Sequence, residues 1–340
     1  MPSAESRSNY APGIGVADEL VISNRGTRAV FVSDSIADAE VDLQRNWDCL
    51  CDQLPLSVNR RVLKSISCSS YQVGENLAES DGVIEACIPF NNQGESLYWL
   101  VVGKNSGDRD PDPQLIKRQR AFMIQICQCD QYCPQRAEDL RKAVFRLNPG
   151  VSDLVLERIT TANFLIFEEE LRRLYETAFS DYPYDIVTVI EKSCDYNFYV
   201  VALVDGIVAA VTGAERINVS GIELAEVGDS AALPNLKGLG AVTKRFLLQL
   251  LYDQGKIPTL LFTDSRIGSV LKANRRAGFI LNHGIVLPWH TQISSPRNGD
   301  DAKQIVGDDG LSFSVENMTM TYLGKDQAIQ VLEEFGPIPI

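Results

Sequence analysis

The stretch ELAEVGDSAALPNLKGLGAVTKRFLLQLLYDQG, from Glu223 to Gly255, joins three local patterns without a break. Its first residues alternate as a strand does, a turn containing Gly238 and Gly240 follows, and the remainder has helical apolar spacing. A strand that runs directly into a helix leaves the first N–H groups of the helix without partners, and the helix dipole adds partial positive charge there. The stretch therefore predicts a turn that can hold an anion.

The glycine spacing and the local charge narrow the class of anion. The turn lacks the third glycine of a dinucleotide fingerprint, and no Gly-Lys-Ser/Thr sequence closes it as in a phosphate-binding P-loop. Residues 235–280 nevertheless carry eight basic and two acidic side chains, in a chain with a net charge of -13. This clustering favours a phosphate-bearing ligand, and a tight strand-to-helix turn without a ligand is the alternative.

Strand and helix patterns continue on both sides of this stretch. Two apolar runs meet at Asp205-Gly206, which is a hairpin turn signal. TLLFTDS predicts a buried strand, GSVLKANRRAGF predicts a helix, and two more strands are expected around Ile285 and Thr319 with a long polar insertion between them. An amphipathic helix is expected in residues 163–183, after a strand at LERIT.

The rest of the chain predicts a second, smaller unit. Strand, helix and two further strand patterns fill residues 21–104, which are expected to form a small α/β domain. We expect an unstructured start over 1–20, a helical linker over 105–150, the larger domain over 151–325 and a tail over 326–340.

Composition excludes several classes of protein. With 340 residues, 45% hydrophobic and 23% charged, the chain has the composition of a globular protein of two domains. It has neither a run of eighteen apolar residues nor a signal peptide, so we expect a cytoplasmic protein with no membrane segment and with its eight cysteines reduced. Cys127, Cys129 and Cys133 lack the paired spacing of a zinc site, so no metal is expected, and the net charge argues against nucleic acid as a partner.

The segment from Glu223 to Phe279, with its strand, glycine turn, helix, strand and second helix, resembles the core of the GNAT superfamily of N-acyltransferases over roughly residues 155–323. VIEACIPF, FSDYPYD and VENMTMTYL further resemble the putative β-lysine N-acetyltransferase family, in which a truncated GNAT-like half precedes a full one. The resemblance implies an α/β (α+β) fold with a mixed, mostly antiparallel central sheet flanked by helices. It also implies transfer of an acyl group, acetyl by the resemblance, from acyl-CoA to a small amino-acid-like amine.

The resemblance places the donor at the glycine turn and at the end of the strand before it. The family turn begins with Arg or Gln, where this chain has Asn235, so a phosphopantetheine on an acyl carrier protein is an alternative to free coenzyme A. The family's acidic tyrosine on the second helix corresponds to Asn274, which cannot protonate a thiolate and is expected to hydrogen-bond the pantetheine arm or the turn instead. The donor positions expected are Ala231, Leu233, Asn235, Lys237, Gly238, Leu239, Gly240, Ala241 and Asn274.

The chemistry needs a base for the attacking amine. Glu226, on the strand that enters the turn, is the candidate, because the resemblance places a glutamate there. Asp229 is a second candidate, although on a regular strand it would face the opposite side. His290 is a third candidate, next to the expected acceptor pocket. Each of these also fits a purely structural, hydrogen-bonded role. Cys194 has no activating neighbour in sequence and is expected to be a buried thiol rather than a nucleophile.

Two other classes of function stay open at this point. One is a non-catalytic GNAT-like binding module, since both the Arg/Gln of the turn and the tyrosine are replaced. The other is a transferase of the same fold that takes its donor from aminoacyl-tRNA, which the local positive charge permits and the overall charge opposes. The sequence does not specify the oligomeric state.

Overall fold

The computed structural model describes residues 15–16, 19–22, 28–38, 40–54, 58, 60–71, 74–77, 81–105, 111–179, 185–294, 303–306 and 312–338. Within these ranges the helices are α1 Glu40–Gln53, α2 Pro113–Gln128, α3 Ala137–Leu147, α4 Phe164–Ala178, α5 Ile186–Ser193, α6 Leu239–Asp253, α7 Ser269–Ala277 and α8 Lys325–Phe335.

The strands of the described residues form two sheets. The strands are β1 Gly15–Val16, β2 Glu19–Ile22, β3 Arg28–Ala37, β4 Arg60–Ser67, β5 Val83–Asn92, β6 Glu95–Asn105, β7 Leu154–Ile159, β8 Phe198–Val204, β9 Ile207–Val219, β10 Ile222–Ala232, β11 Leu260–Arg266, β12 Ile280–Ser294, β13 Lys303–Val306 and β14 Ser312–Gly324.

The C-terminal sheet has the order β12-β14-β11-β10-β9-β8-β7, with β1 beside β9 and β13 beside β14. Its neighbouring strands are antiparallel except for β10 with β11 and β1 with β9. The predicted fold class, a mixed and mostly antiparallel sheet flanked by helices, is therefore confirmed. The hairpin predicted at Asp205-Gly206 is also present, with φ of 49° and 83° at its two residues.

The N-terminal sheet has the order β2-β3-β4-β6-β5, and its β3 and β4 are parallel. α1 covers one of its faces through Leu43, Trp47 and Leu50. The other face packs on the C-terminal sheet. Val62, Ile66 and Trp99 share an apolar core there with residues of β10, β11 and β14, and the rings of Trp99 and Phe262 lie 4.8 Å apart.

The two faces of the C-terminal sheet carry different layers. One face is covered by α3, α6 and α8, whose apolar residues form a single core with Ala225, Val227 and Leu261. The opposite face, which we call the front face, is covered by α4 and α5 near β8 and by the N-terminal sheet near β10 and β11. Since side chains alternate along a strand, Leu224 and Phe262 of the front-face core place Glu226 and Asp264 on the front face as well.

Three chain segments differ from what the sequence predicts. Part of the expected unstructured start is strand, because β1 and β2 lie within or across residues 1–20; residues 1–14, 17 and 18 lie outside the described part. The expected tail is largely α8, whose Ala328, Val331 and Leu332 are buried in the core. The polar insertion contains β13, which adds an edge to β14. β2 pairs with β3 of the N-terminal sheet, and β1, β13 and α8 pair with or pack on the C-terminal sheet, which a local pattern does not reveal.

Candidate functional site

The two parallel strands in the middle of the C-terminal sheet pair over a short distance only. Their paired residues are Leu224 with Leu260, Ala225 with Leu261, and Glu226 with Phe262. Past Glu226, β10 continues along β9 to Ala232, and β11 continues along β14 to Arg266. The two strands therefore part at Glu226 and Phe262. We call the space between their separated ends the strand gap.

A β-bulge lies on β10 just beyond Glu226. The pairing of β10 with β9 shifts between Gly228 and Ala231, and Asp229 has a φ of 49°, in the left-handed region. The side chain of Asp229 is hydrogen-bonded to Glu215, which lies directly opposite Glu226 on β9. The expectation that Asp229 faces away from Glu226 is therefore wrong, because the bulge turns Asp229 to the front face.

Tyr175 of α4 is hydrogen-bonded to the backbone of the bulge. Its hydroxyl donates to the carbonyl oxygen of Asp229 at 2.5 Å, and burial raises the pKa of this phenol well above 10. Tyr175 is therefore a neutral hydrogen-bond donor here rather than an acid that ionises near neutral pH.

A buried lysine from the other sheet completes the cluster. The Nζ of Lys64, on β4, lies 2.8 Å from Glu226 Oε2, 2.9 Å from Glu226 Oε1 and 2.9 Å from Asp264 Oδ2. Burial alone would lower the pKa of Lys64, but the charges of Asp264 and Glu226 outweigh it and raise the pKa above 10.5. Lys64 is therefore an ammonium ion that bridges one carboxylate on each side of the strand gap.

Sequence reasoning missed Lys64, although the strand offers a signal. RRVLKSIS is an apolar strand in which Val62, Lys64 and Ile66 share one face, and the two aliphatic residues mark that face as buried. A lysine on a buried strand face needs a carboxylate partner, which is a reason to search for one. The identity of the partner is not a local property, because Glu226 and Asp264 are 162 and 200 residues away.

Glu215 and Asp229 form a second acidic pair beside Glu226. Burial raises the pKa of Glu215 well above 4.5, the negative charges of Asp229 and Glu226 raise it further, and Lys64 opposes this only in part. A hydrogen bond between two carboxyl groups requires that one of them keeps its proton. The pair therefore shares a proton, whereas Glu226 lies ionised against the Lys64 ammonium.

The glycine turn is more fully hydrogen-bonded than the sequence suggests. Gly238 has a φ of 88° and caps the start of α6, as a glycine can. Asn148, at the end of α3, accepts from the N–H of Lys237 and donates to the carbonyl of Lys237, both at 2.9 Å. The N–H of Lys237 is thus already used, and the donors that remain for an anion are the first N–H groups of α6.

We expect Asn148→Ala to lower the free energy of unfolding by about 1 to 2 kcal/mol, because both polar groups of Lys237 then lose their partner. Urea denaturation of the variant measures this. Asn235→Ala is the control, since Asn235 lies exposed on the same turn. Equal stability of the two variants would contradict the assignment of Asn148 as the residue that holds the turn.

The other donor positions lie as follows. The N–H of Leu233 donates to the carbonyl of Ala209 at 2.9 Å, so the backbone polar groups of Leu233 face β9. Those of Ala231 face β9 as well, because hydrogen-bonded pairs recur every two residues along an antiparallel strand. The backbone of Ala232 between them faces the strand gap. Leu239 and Ala241 bury their side chains in the core, so only their backbone N–H groups, in the first turn of α6, could contact a donor. Roles for these residues and for Gly240 in donor binding stay predictions.

Asn274 lies away from the charged cluster. Its Nδ2 donates to Ser265 Oγ at 2.5 Å and to Thr321 Oγ1 at 3.1 Å, and the side chain is fully buried. Ser265 follows Asp264 on β11 and so points to the face opposite the front face. Asn274 is therefore on the α6 and α7 side of the sheet, and the expectation that it contacts a donor stays a prediction.

Two further residues from the sequence analysis can be located in part. His290 belongs to β12, and its side chain lies outside the described residues. Cys194 is buried, and burial raises the pKa of its thiol, so it is a poor nucleophile. Within the described ranges no three or more His, Cys, Asp and Glu side chains are grouped so that they could hold a metal ion. None of the described helices has the length and apolar composition of a membrane span.

Several residues of the basic cluster have structural contacts. The guanidinium of Arg245 donates to the carbonyl of Ala277 at 3.0 Å, that of Arg275 to the carbonyl of Ile126 at 2.5 Å, and that of Arg276 to the carbonyl of Gln131 at 3.3 Å. These contacts join α7 to α6, to the last turn of α2 and to the segment after α2. The positive charge between residues 235 and 280 therefore belongs in part to helix packing and not to an anion site.

Lys244 is a different case. It lies on α6 one turn after Gly240 and is almost completely buried, and burial lowers its pKa to about 8. Side chains on a helix lean toward its N-terminus, so Lys244 extends toward the glycine turn. A bound anion nearby would favour its charged form.

Comparisons with known proteins give partial overlaps. No protein-family model matches the chain, and a search of curated proteins finds no match. A probable N-acyltransferase of unknown function from Enterococcus faecalis is 18% identical, with 37% of this chain and 32% of that chain covered at a TM-score of 0.30. An N-acetyltransferase from Staphylococcus aureus is 11% identical, with 52% and 99% covered at a TM-score of 0.34.

A third solved structure is an aminoglycoside acetyltransferase from an uncultured soil metagenomic sample, in complex with sisomicin. It is 21% identical, with 32% of this chain and 76% of that chain covered at a TM-score of 0.28. The chain thus spans about a third of the length of the Enterococcus protein. At TM-scores this low, support for a function has to come from the strand order and the side chains of the chain itself.

Proposed function

We propose that this chain is an N-acyltransferase of the GNAT type, which moves an acyl group from a pantetheine thioester to a small cationic amine. The observation that carries the proposal is the carboxylate of Glu226 at the point where β10 and β11 part. A thioester arm that enters the strand gap from the start of α6 would bring its carbonyl carbon next to this carboxylate. Glu226 is 26% exposed, so an acceptor can reach it from solvent.

The reaction follows from the groups around Glu226. The acceptor arrives as an ammonium ion and must lose a proton before its nitrogen attacks the thioester carbonyl carbon. Glu226 takes that proton directly or through a water molecule. The carbon–nitrogen bond forms, the nitrogen gives its second proton to water, the carbon–sulfur bond breaks, and the thiolate leaves and takes a proton from water. Asn274 cannot supply that proton, since an amide is not an acid at neutral pH.

The charge of the site favours a cationic acceptor. With one proton shared by Glu215 and Asp229, this pair carries one negative charge, and Glu226 and Asp264 carry one each. Lys64 supplies one positive charge against these three. The remaining negative charge, in a partly desolvated site, attracts amines and repels carboxylate-rich acceptors.

Asn235 gives a test of the donor. Asn235→Arg adds a cation to an exposed position of the turn, and it should tighten the binding of coenzyme A by about 1 to 2 kcal/mol through charge-assisted contacts with the pyrophosphate. Calorimetry with coenzyme A measures the gain. Asn235→Met is the matched control, because it adds length without charge.

Pantetheine, which has no pyrophosphate, serves as the control ligand, and its affinity should be the same for both variants and the wild type. An unchanged affinity of Asn235→Arg for coenzyme A would contradict a pyrophosphate at this turn. That result would favour a donor on an acyl carrier protein, which brings a single phosphate. A single phosphate agrees with a turn in which the N–H of Lys237 already donates to Asn148 and is not available to an anion.

Turnover itself is the test of the proposal. The purified protein is incubated with acetyl-CoA and a panel of diamines, amino acids and aminoglycosides, free thiol is followed, and products are identified by mass spectrometry. Acetylation of a cationic amine supports the proposal. Retained donor binding without thiol release from any amine would identify a binding module, and an activity that ribonuclease abolishes would identify an aminoacyl-tRNA donor.

A further inference from the structure

The charged cluster is assembled from two sheets that meet only through folding. Glu226 is on β10 and Asp264 is on β11, on the two sides of the strand gap, whereas Lys64 is on β4 of the N-terminal sheet. Lys64 itself is 1% exposed, and its Nζ is the group that links the two carboxylates. The C-terminal sheet alone would leave these carboxylates next to each other without a cation from β4.

We propose that Lys64 is a positioning residue for acyl transfer, so that the N-terminal sheet completes the active site. This inference rests on the function proposed above, in which Glu226 is the base. The two contacts of 2.9 and 2.8 Å from Lys64 fix the carboxylate of Glu226 at the edge of the strand gap, and the third, to Asp264 at 2.9 Å, holds Lys64 itself. The ammonium also favours the ionised form of Glu226, which is the form that accepts a proton.

A role in packing alone explains the arrangement less well. The neighbours of Lys64 on its strand face are Val62 and Ile66, and its Nζ lies 5.2 Å from the centre of the Phe262 ring. An apolar side chain would fill this space without the cost of desolvating an ammonium ion, and such replacements of buried ion pairs are often neutral or stabilising. The ion pairs are therefore expected to serve Glu226, the one member of the trio with substantial exposure.

The pH dependence of kcat/KM separates the two roles, because opposite charges act on Glu226 in opposite directions. The described charged groups that face it are Lys64 from β4, Asp264 from β11, Glu215 from β9 and, through Glu215, Asp229. Lys64→Met removes the cation, so the acid limb of the profile should move to higher pH by about 1 unit. Asp264→Asn removes a neighbouring anion, so the acid limb should move to lower pH.

Two further variants control for size and packing. Lys64→Arg keeps the charge, and its acid limb should stay near that of the wild type. Ile66→Val removes one methyl group from the same face of β4 and the same core, without a change of charge, and its acid limb should not move. Circular dichroism checks the fold of each variant. If Lys64→Met does not fold, the downward shift of Asp264→Asn and the retained limb of Lys64→Arg decide the question.

The experiment uses the full chain with acetyl-CoA and an amine that the wild type acetylates, between pH 4 and 8. Shifts of opposite sign in Lys64→Met and Asp264→Asn support the proposal. A wild-type enzyme that is active, with the same acid limb in all four variants, overturns the role of Lys64 and leaves the proposed function standing. A wild-type chain that releases no thiol with any amine overturns the proposed function, and the role of Lys64 in transfer with it.

Discussion

Glu226→Gln is expected to lower kcat/KM by about 10² to 10⁴ near neutral pH while donor affinity stays unchanged. Glutamine keeps the shape of glutamate and can still bond to neighbouring groups, but it cannot take a proton from the attacking ammonium. The loss should shrink as pH rises, because a lysine-like amine titrates near pH 10.4 and more of it is then neutral without help. The ratio of kcat/KM between wild type and variant, from pH 6.5 to about 9.5, measures this.

Glu223→Gln is the matched control for this substitution. Glu223 lies on the same strand and is ion-paired with Arg216, away from Lys64. The Glu223→Gln variant tests whether the loss of any carboxylate from β10 disturbs the fold. A flat wild-type to variant ratio near one for Glu226→Gln would remove Glu226 from the mechanism, and Asp229 and His290 would then be the candidate bases.

The C-terminal domain was the more predictable part of the fold. Two apolar runs and the Asp205-Gly206 turn between them mark β8 and β9 locally, and the helical spacing after Gly240 marks α6. The mixed, mostly antiparallel character of the sheet followed from the family resemblance and not from any pattern, since pairing between β10 and β11 depends on residues more than thirty positions apart. β1, β13 and α8 were missed because their partners lie elsewhere in the sheet.

The candidate site was predictable only in part. Glu226 was found because the resemblance places a glutamate on the strand that enters the glycine turn, whereas Lys64 comes from another sheet and is 162 residues away. The bulge at Asp229 had a signal in Gly228, because an isolated glycine within a strand pattern often marks one, but the direction in which Asp229 then points depends on Glu215 across β9. Asn148 and Lys237 likewise meet only because α3 packs on the start of α6.

Glu215→Gln is expected to stabilise the protein at pH 7, by about 1 to 3 kcal/mol, which is the order of the cost of a desolvated polar group that is poorly compensated. The sign follows from the raised pKa of Glu215. Since the fold favours the protonated acid, folding stability is fully present below the unfolded pKa near 4.3 and falls as pH rises from there toward the folded pKa. Glutamine is neutral at every pH and can donate to Asp229, so the variant avoids this loss.

The gain should therefore be absent near pH 4 and should grow toward pH 7 and 8, as urea denaturation at each pH would show. Glu176→Gln is the control, since Glu176 is exposed on α4, and its effect should be small at every pH. A gain of equal size at pH 4 and pH 8 would contradict a shared proton between Glu215 and Asp229. Because Glu215 and Asp229 would then both be ionised in the wild type, the negative charge beside Glu226 would be larger, and the site would favour cationic acceptors more strongly than the shared proton implies.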